Sequence, residues 1–240
     1  PGGRHRPQGV TILYEDRDIL VVEKAPGLLT MASDSEKTKT VYYRLTNYVR
    51  KGSSRSRERI FIVHRLDRDV SGILIFAKTG AAKANLIDQW ENTEKKYLAV
   101  VYGKMAEKTG MFSSYLTENK AHVVYSTPDT KKGALSHTAY RVLKETKGLS
   151  LLEINLLTGR KNQIRVHLSE NGHPIVGDKK YGQEENRRHV RLALHAKSIS
   201  FKHPYSGKQV TFVTETPPYF RELIGDIDQG ATAHSTSSPK

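Results

Sequence analysis

Residues 60–79, IFIVHRLDRDVSGILIFAKT, constrain the fold more than any other stretch of this chain. Two apolar runs within it, residues 60–63 and 73–77, are of strand length and rich in β-branched and aromatic side chains, so each reads as a buried strand. Between them lies HRLDRDVSG, which sets His64, Arg65, Asp67, Arg68 and Asp69 ahead of a closing Ser71-Gly72. A purely connecting loop would need none of that charge, and loops held by rigid strands are a common place for chemistry. On these residues alone, a solvated turn with opportunistic ion pairs is an equally good reading.

At 240 residues the chain can bury a real core, and nothing in its composition forces a division into domains. Lys and Arg number 39 against 25 Asp and Glu, a formal net charge of +14 that suits a polyanionic partner: RNA, DNA or an anionic membrane surface. No apolar run approaches the length of a membrane span and no signal sequence opens the chain, so a soluble cytoplasmic protein is expected. The absence of cysteine excludes disulfides, iron–sulfur clusters, thiolate zinc sites and a cysteine nucleophile. The histidines show no HExxH spacing, and there is neither GxxxxGK[ST] nor GxGxxG, so no metal and no cofactor are expected.

Residues 1–9 are Pro, Gly and Arg rich and read as a flexible arm, and residues 226–240 read as a disordered polar tail. Short strands are expected at residues 12–14 and 19–23, followed by the Lys24-Ala25-Pro26-Gly27 turn. Val41, Leu45 and Val49 recur at helical spacing, which predicts a helix over residues 40–50 with Thr40 as its cap. Residues 51–59, KGSSRSRER, form a flexible basic loop in which Arg55 and Arg57 are candidate contacts to RNA phosphates. A surface helix over 81–93 and a strand over 96–102 follow. Residues 111–126 and 136–145 are expected as two antiparallel strands, residues 152–156 as a half-buried strand, and 161–170 as a helix stopped by Asn171-Gly172. Arg187, Arg188, His189 and Arg191 make a second basic cluster before strands at 192–201 and 209–213 and a closing helix from Pro217. Many short strands with few helices predict an α+β domain on a mainly antiparallel sheet.

The loop HRLDRDVSG resembles the HRLDRxTSG signature of the RluA-like pseudouridine synthases, whose catalytic aspartate matches Asp67. KKYLAVVYG at residues 95–103 and LLTGRKNQIRVHL at 156–168 resemble two further motifs of that family, in its order and spacing, so the resemblance spans residues 10–223. It implies the pseudouridine synthase catalytic fold over 10–225, a mixed, mainly antiparallel sheet with flanking helices and loops around a central cleft. It also implies an isomerase that converts specific uridines of structured RNA, ribosomal or transfer, to pseudouridine without a cofactor; a monomer is expected. Many relatives carry a small RNA-binding domain ahead of this point. None is expected here, so target choice is expected from the catalytic domain or a partner.

The same resemblance assigns Tyr97 to the target base and makes Arg165 the cation that keeps a buried Asp67 ionised, since burial alone would raise the aspartate's pKa. Arg65 is the residue that relatives place near the flipped nucleotide, where extrusion costs a few kcal/mol. Lys24 lies on a turn that resembles the family's opening motif; as a sequence feature it equally suits a turn that only reverses the chain. Arg160 and Gln163 complete the candidate substrate-binding positions together with His64, although His64 and His167 both read as neutral structural histidines. HPIVGDKKY at residues 173–181 resembles a further family stretch in which Asp178 and Tyr181 are expected to be scaffold. Two departures stand out: Val70 where the family has threonine, and Lys161-Asn162 where it has Thr-His. A non-catalytic RNA-binding protein on the same fold is the alternative function. A hydrolase would need a second opposing carboxylate, for which Asp69 is the only local candidate.

Overall fold

The computed structural model describes residues 7–32, 36–146, 148–182, 189 and 191–227. Its elements run β1 (Val10–Glu15), β2 (Ile19–Lys24), α1 (Val41–Val49), β3 (Phe61–Ile62), β4 (Ser71–Ala77), α2 (Gly80–Asp88), β5 (Glu94–Tyr102), β6 (Thr109–Glu118), β7 (Val124–Thr127), β8 (Ala134–Glu145), β9 (Leu149–Leu156), α3 (Gln163–Glu170), β10 (Leu194–Lys202), β11 (Gln209–Val213) and α4 (Pro218–Ile224). The α+β class holds: the sheet is mainly antiparallel and the helices are few and short. The chain divides into two compact units, Pro1–Thr93 with Ile199–Thr214, and Glu94–Ser198 with Glu215–Lys240.

In the first unit, β2 lies between β1 and β4 in antiparallel pairing, with Ile19 opposite Ala77 and Lys24 opposite Gly72. The strands β2 and β4 are buried almost throughout, which explains their continuous apolar runs. Ile19, Val21, Ile73, Ile75 and Ala77 form a core with Ala82 and Leu86 of α2 and Ile199 and Phe201 of β10; Trp90 packs against it. Thr40 and Thr79 cap α1 and α2 through their hydroxyls, which accept the amides of Tyr43 and Ala82.

In the second unit, β5, β9, β8, β6 and β7 follow one another in antiparallel order. The single strand expected over 111–126 is two strands joined by a turn at 119–123. Asn119 turns the chain: its Oδ1 accepts the amides of Ala121 and Val123, and His122 adopts a left-handed φ of 59°. Helix α3 begins at Gln163, two residues later than expected, because Asn162 takes a left-handed φ of 52° as its N-cap. Helix α4 starts at Pro218, whose fixed φ suits a first turn. Residues 1–6 of the expected arm, the tail beyond residue 227, and Arg187 and Arg188 lie outside the described residues; the end of that arm is not loose, since the Pro7 carbonyl accepts the Val10 amide at 3.2 Å and the Gly9 carbonyl accepts the Ala25 amide at 3.0 Å.

Candidate active site

The loop between β3 and β4 is fixed from beneath by the turn that follows β2. Thr30, buried, donates its hydroxyl to the Leu66 carbonyl at 2.8 Å and accepts the Leu66 amide at 3.1 Å. Two residues on, the Arg68 carbonyl accepts from the Gly27 amide at 2.9 Å and from Lys24 Nζ at 2.8 Å. Gly27 reaches this geometry with a left-handed φ of 83°. Asp67 lies between these two anchors, half-buried, and its own carbonyl accepts the Val70 amide at 3.2 Å. The main chain on both sides of the aspartate is therefore held by hydrogen bonds, while Arg65, Arg68 and Asp69 are exposed.

Lys24 is 0 % exposed and also bonds the Ala25 carbonyl at 3.0 Å. Burial lowers its pKa to about 7, against the opposing charges of Asp69 and Asp67. The neutral amine keeps two N–H groups, enough for both carbonyls. Lys24 is thus part of the loop's foundation, which the reading of a mere chain reversal had left open. His64 Nε2 accepts the Ile75 amide at 3.1 Å and its ring lies tilted against that of Trp90, centroids 4.6 Å apart, a setting that ties it to the strand. Arg55 and Arg57 are exposed on the basic loop, whose end is drawn back by Arg50 Nε donating to the Glu58 carbonyl at 3.0 Å.

The other candidate residues belong to the second unit. Tyr97 on β5 is half-buried and pairs with Ile154, which pairs with Tyr140. These residues share the sheet face on which α3 packs, because Thr138, two positions from Tyr140, bonds both Gln163 and His167. Gln163 is buried and fully used: Oε1 accepts from the Thr158 hydroxyl and the Arg160 amide, and Nε2 donates to the His137 carbonyl and Thr138 Oγ1. It shapes the loop before α3, and Arg160 is left exposed on that loop. His167 bonds Thr138 and Ser114, and burial lowers its pKa, in keeping with a neutral structural histidine.

Arg165, on α3, is 8 % exposed. Its Nε and Nη2 donate to Asp178 Oδ2 and Oδ1 at 2.8 and 2.7 Å. Burial pushes the Asp178 carboxyl up, but the Arg165 bonds and charge and the amides of Tyr181 and Lys180 outweigh it and hold the group below its ordinary value. Thr30 carried no signal in the sequence, because an isolated threonine in an irregular segment reveals nothing of a partner 36 residues away.

A family model described as RNA pseudouridylate synthase matches residues 18–170. The uncharacterized RNA pseudouridine synthase YlyB of Bacillus subtilis is 34% identical over 224 residues, covering 92% of this chain and 74% of the relative. The ribosomal large subunit pseudouridine synthase D of Zymomonas mobilis is 32% identical over 227 residues, covering 89% and 72%. Among solved structures, human RNA pseudouridylate synthase domain containing 1 superposes with a TM-score of 0.73 at 28% identity, over 93% of this chain and 88% of that one. The motif order, the fold and these matches agree: the chain belongs to the RluA-like family of RNA pseudouridine synthases.

Proposed function

We propose that this enzyme converts specific uridines of structured ribosomal or transfer RNA to pseudouridine, with Asp67 as the essential carboxylate. The reaction breaks the bond from ribose carbon 1 to uracil nitrogen 1, turns the base and forms the bond to carbon 5. The carbon 5 proton is lost, nitrogen 1 gains one, and nothing is oxidised or reduced. Such chemistry asks for a carboxylate beside the sugar, a platform for the freed base and exclusion of water. The observation that carries the reading is the loop anchored at Leu66 and Arg68, which presents Asp67 on a fixed main chain. Tyr97 and Arg165 serve the same reaction. Arg65, His64, Arg160, Gln163 and Lys24 bind or shape the substrate site, while Arg55 and Arg57 hold RNA phosphates. Residues 10–225 act together as the catalytic domain, as a cytoplasmic monomer without a cofactor. The name of the Zymomonas relative favours ribosomal RNA over transfer RNA.

The test incubates purified protein with unmodified ribosomal and transfer RNA kept apart, followed by pseudouridine mapping, with Asp67→Asn as control. New pseudouridine from the wild type alone is expected. Conversion by Asp67→Asn removes that residue from the chemistry. Product from neither protein, with RNA still bound, supports the non-catalytic binding reading.

A further inference from the structure

We propose that Asp178 and Tyr181 are positioning residues that set the orientation of the Arg165 guanidinium; the inference rests on the role given to Arg165 above. Asp178, 1 % exposed, takes the Nε–Nη2 edge of the guanidinium in a two-point bond, which fixes the plane and heading of the fork. The Tyr181 ring lies against the same group, its centroid 5.2 Å from Arg165 Cζ, and limits rotation out of that plane. Both partners are themselves held. Asp178 Oδ1 accepts the amides of Lys180 and Tyr181, each at 2.9 Å. The Tyr181 hydroxyl accepts the Val124 amide at 3.0 Å and donates to Asn162 Oδ1 at 3.2 Å, and its carbonyl accepts from the Ser169 hydroxyl.

The turn that delivers Asp178 is possible only with glycine at 177. Its φ is 77°, and a Cβ there would fall 1.8 Å from the Arg191 carbonyl oxygen. A buried ion pair is a poor way to add stability, since well-packed apolar side chains in its place are often as good or better. A two-point bond, a ring face and a supporting layer of main-chain bonds are what orientation requires. Asn162 enters this support where the family has histidine, so this departure changes the wall behind Arg165 and leaves the arginine itself in place.

The experiment measures single-turnover conversion and RNA affinity for Arg165→Ala, Asp178→Asn, the double variant and Tyr181→Leu, on an RNA that the wild type converts, with thermal unfolding alongside. Asp178→Asn is expected to slow conversion about 10- to 100-fold, as small misplacements of reacting groups do, with RNA affinity within about threefold of wild type. The double variant is expected to be no slower than Arg165→Ala, because losing the positioning residue adds nothing once its client is gone. A merely structural role would lower the unfolding temperature and leave that pattern of rates unmet. Wild-type conversion by Asp178→Asn with a dead Arg165→Ala overturns the positioning role and leaves Arg165 in the reaction. Wild-type conversion by Arg165→Ala overturns both. Should Asp178→Asn fail to fold, Tyr181→Leu decides: a loss of about 3- to 10-fold in rate at unchanged affinity supports the proposal, and an unchanged rate overturns it.

Discussion

Lys24 has no exposed surface, and burial brings its ammonium down to about 7 from an unfolded value of 10.5. Between those values the unfolded chain binds a proton that the native chain has released. Stability should therefore rise with pH across that window, by up to about 1.4 kcal/mol per unit, whereas below 7 both states are protonated and the full cost of burying the charge is present. Lys24→Met removes the titrating group, so the stability of wild type relative to this variant should grow by about 2 kcal/mol between pH 7 and pH 9 in urea unfolding. Parallel curves would mean that the amine stays charged. Thr30 is the second residue on which the loop depends. Thr30→Val keeps the shape and strands the Leu66 amide and carbonyl, which should cost about 1–3 kcal/mol. Because Leu66 adjoins Asp67, single-turnover conversion should fall further than RNA affinity. A lowered urea midpoint with an unaltered rate would confine Thr30 to stability.

Among the elements, β7 ends its sheet, and an end strand exposes amides that can recruit another chain. Here two of them are taken by side chains: Val124 N by the Tyr181 hydroxyl at 3.0 Å and Ser126 N by Glu170 at 2.9 Å, with Glu170 also bonding the Ser126 hydroxyl. Glu170→Ala should lower the urea midpoint by the equivalent of about 1–2 kcal/mol and raise light scattering on mild heating; a variant as stable and as disperse as wild type would show the strand is protected by other means. Elements with a strong local signal were legible in the sequence. The runs of β2 and β4 are apolar because they are buried on both faces, β11 alternates, and Thr40 caps α1 as its position suggested. The turn at 119–123 was not, because it depends on one asparagine side chain and a left-handed histidine within a stretch that otherwise reads as strand. Of the candidate site, the motif residues were named by resemblance alone, while the supports of Asp67 and the pairing of Arg165 with Asp178 join positions 13 to 44 residues apart and leave no local pattern.

For the molecule as a whole, a charge of +14 means that RNA affinity should be governed by release of the counterions condensed on phosphates. The field is general, but its sources differ in how they are held. Lys161 is paired with Glu118 and Lys78 with Glu15, so part of their charge is spent within the protein. Arg55 and Arg57 are exposed on a loop that leads into β3 and so toward Asp67 along the chain. If each neutralises one phosphate, the Arg55→Ala, Arg57→Ala double variant should bind more weakly and show a slope of log affinity against log salt that is shallower by about 1.4–1.8, the lower figure for single-stranded contacts. Because phosphate contacts position and do not read sequence, the loss should be similar for RNAs that are converted and RNAs that are not. The measurement is a binding isotherm for both kinds of RNA at four salt concentrations. An unchanged slope would mean that the loop stays solvated in the complex, and a loss confined to converted RNA would mean that it takes part in choosing the uridine.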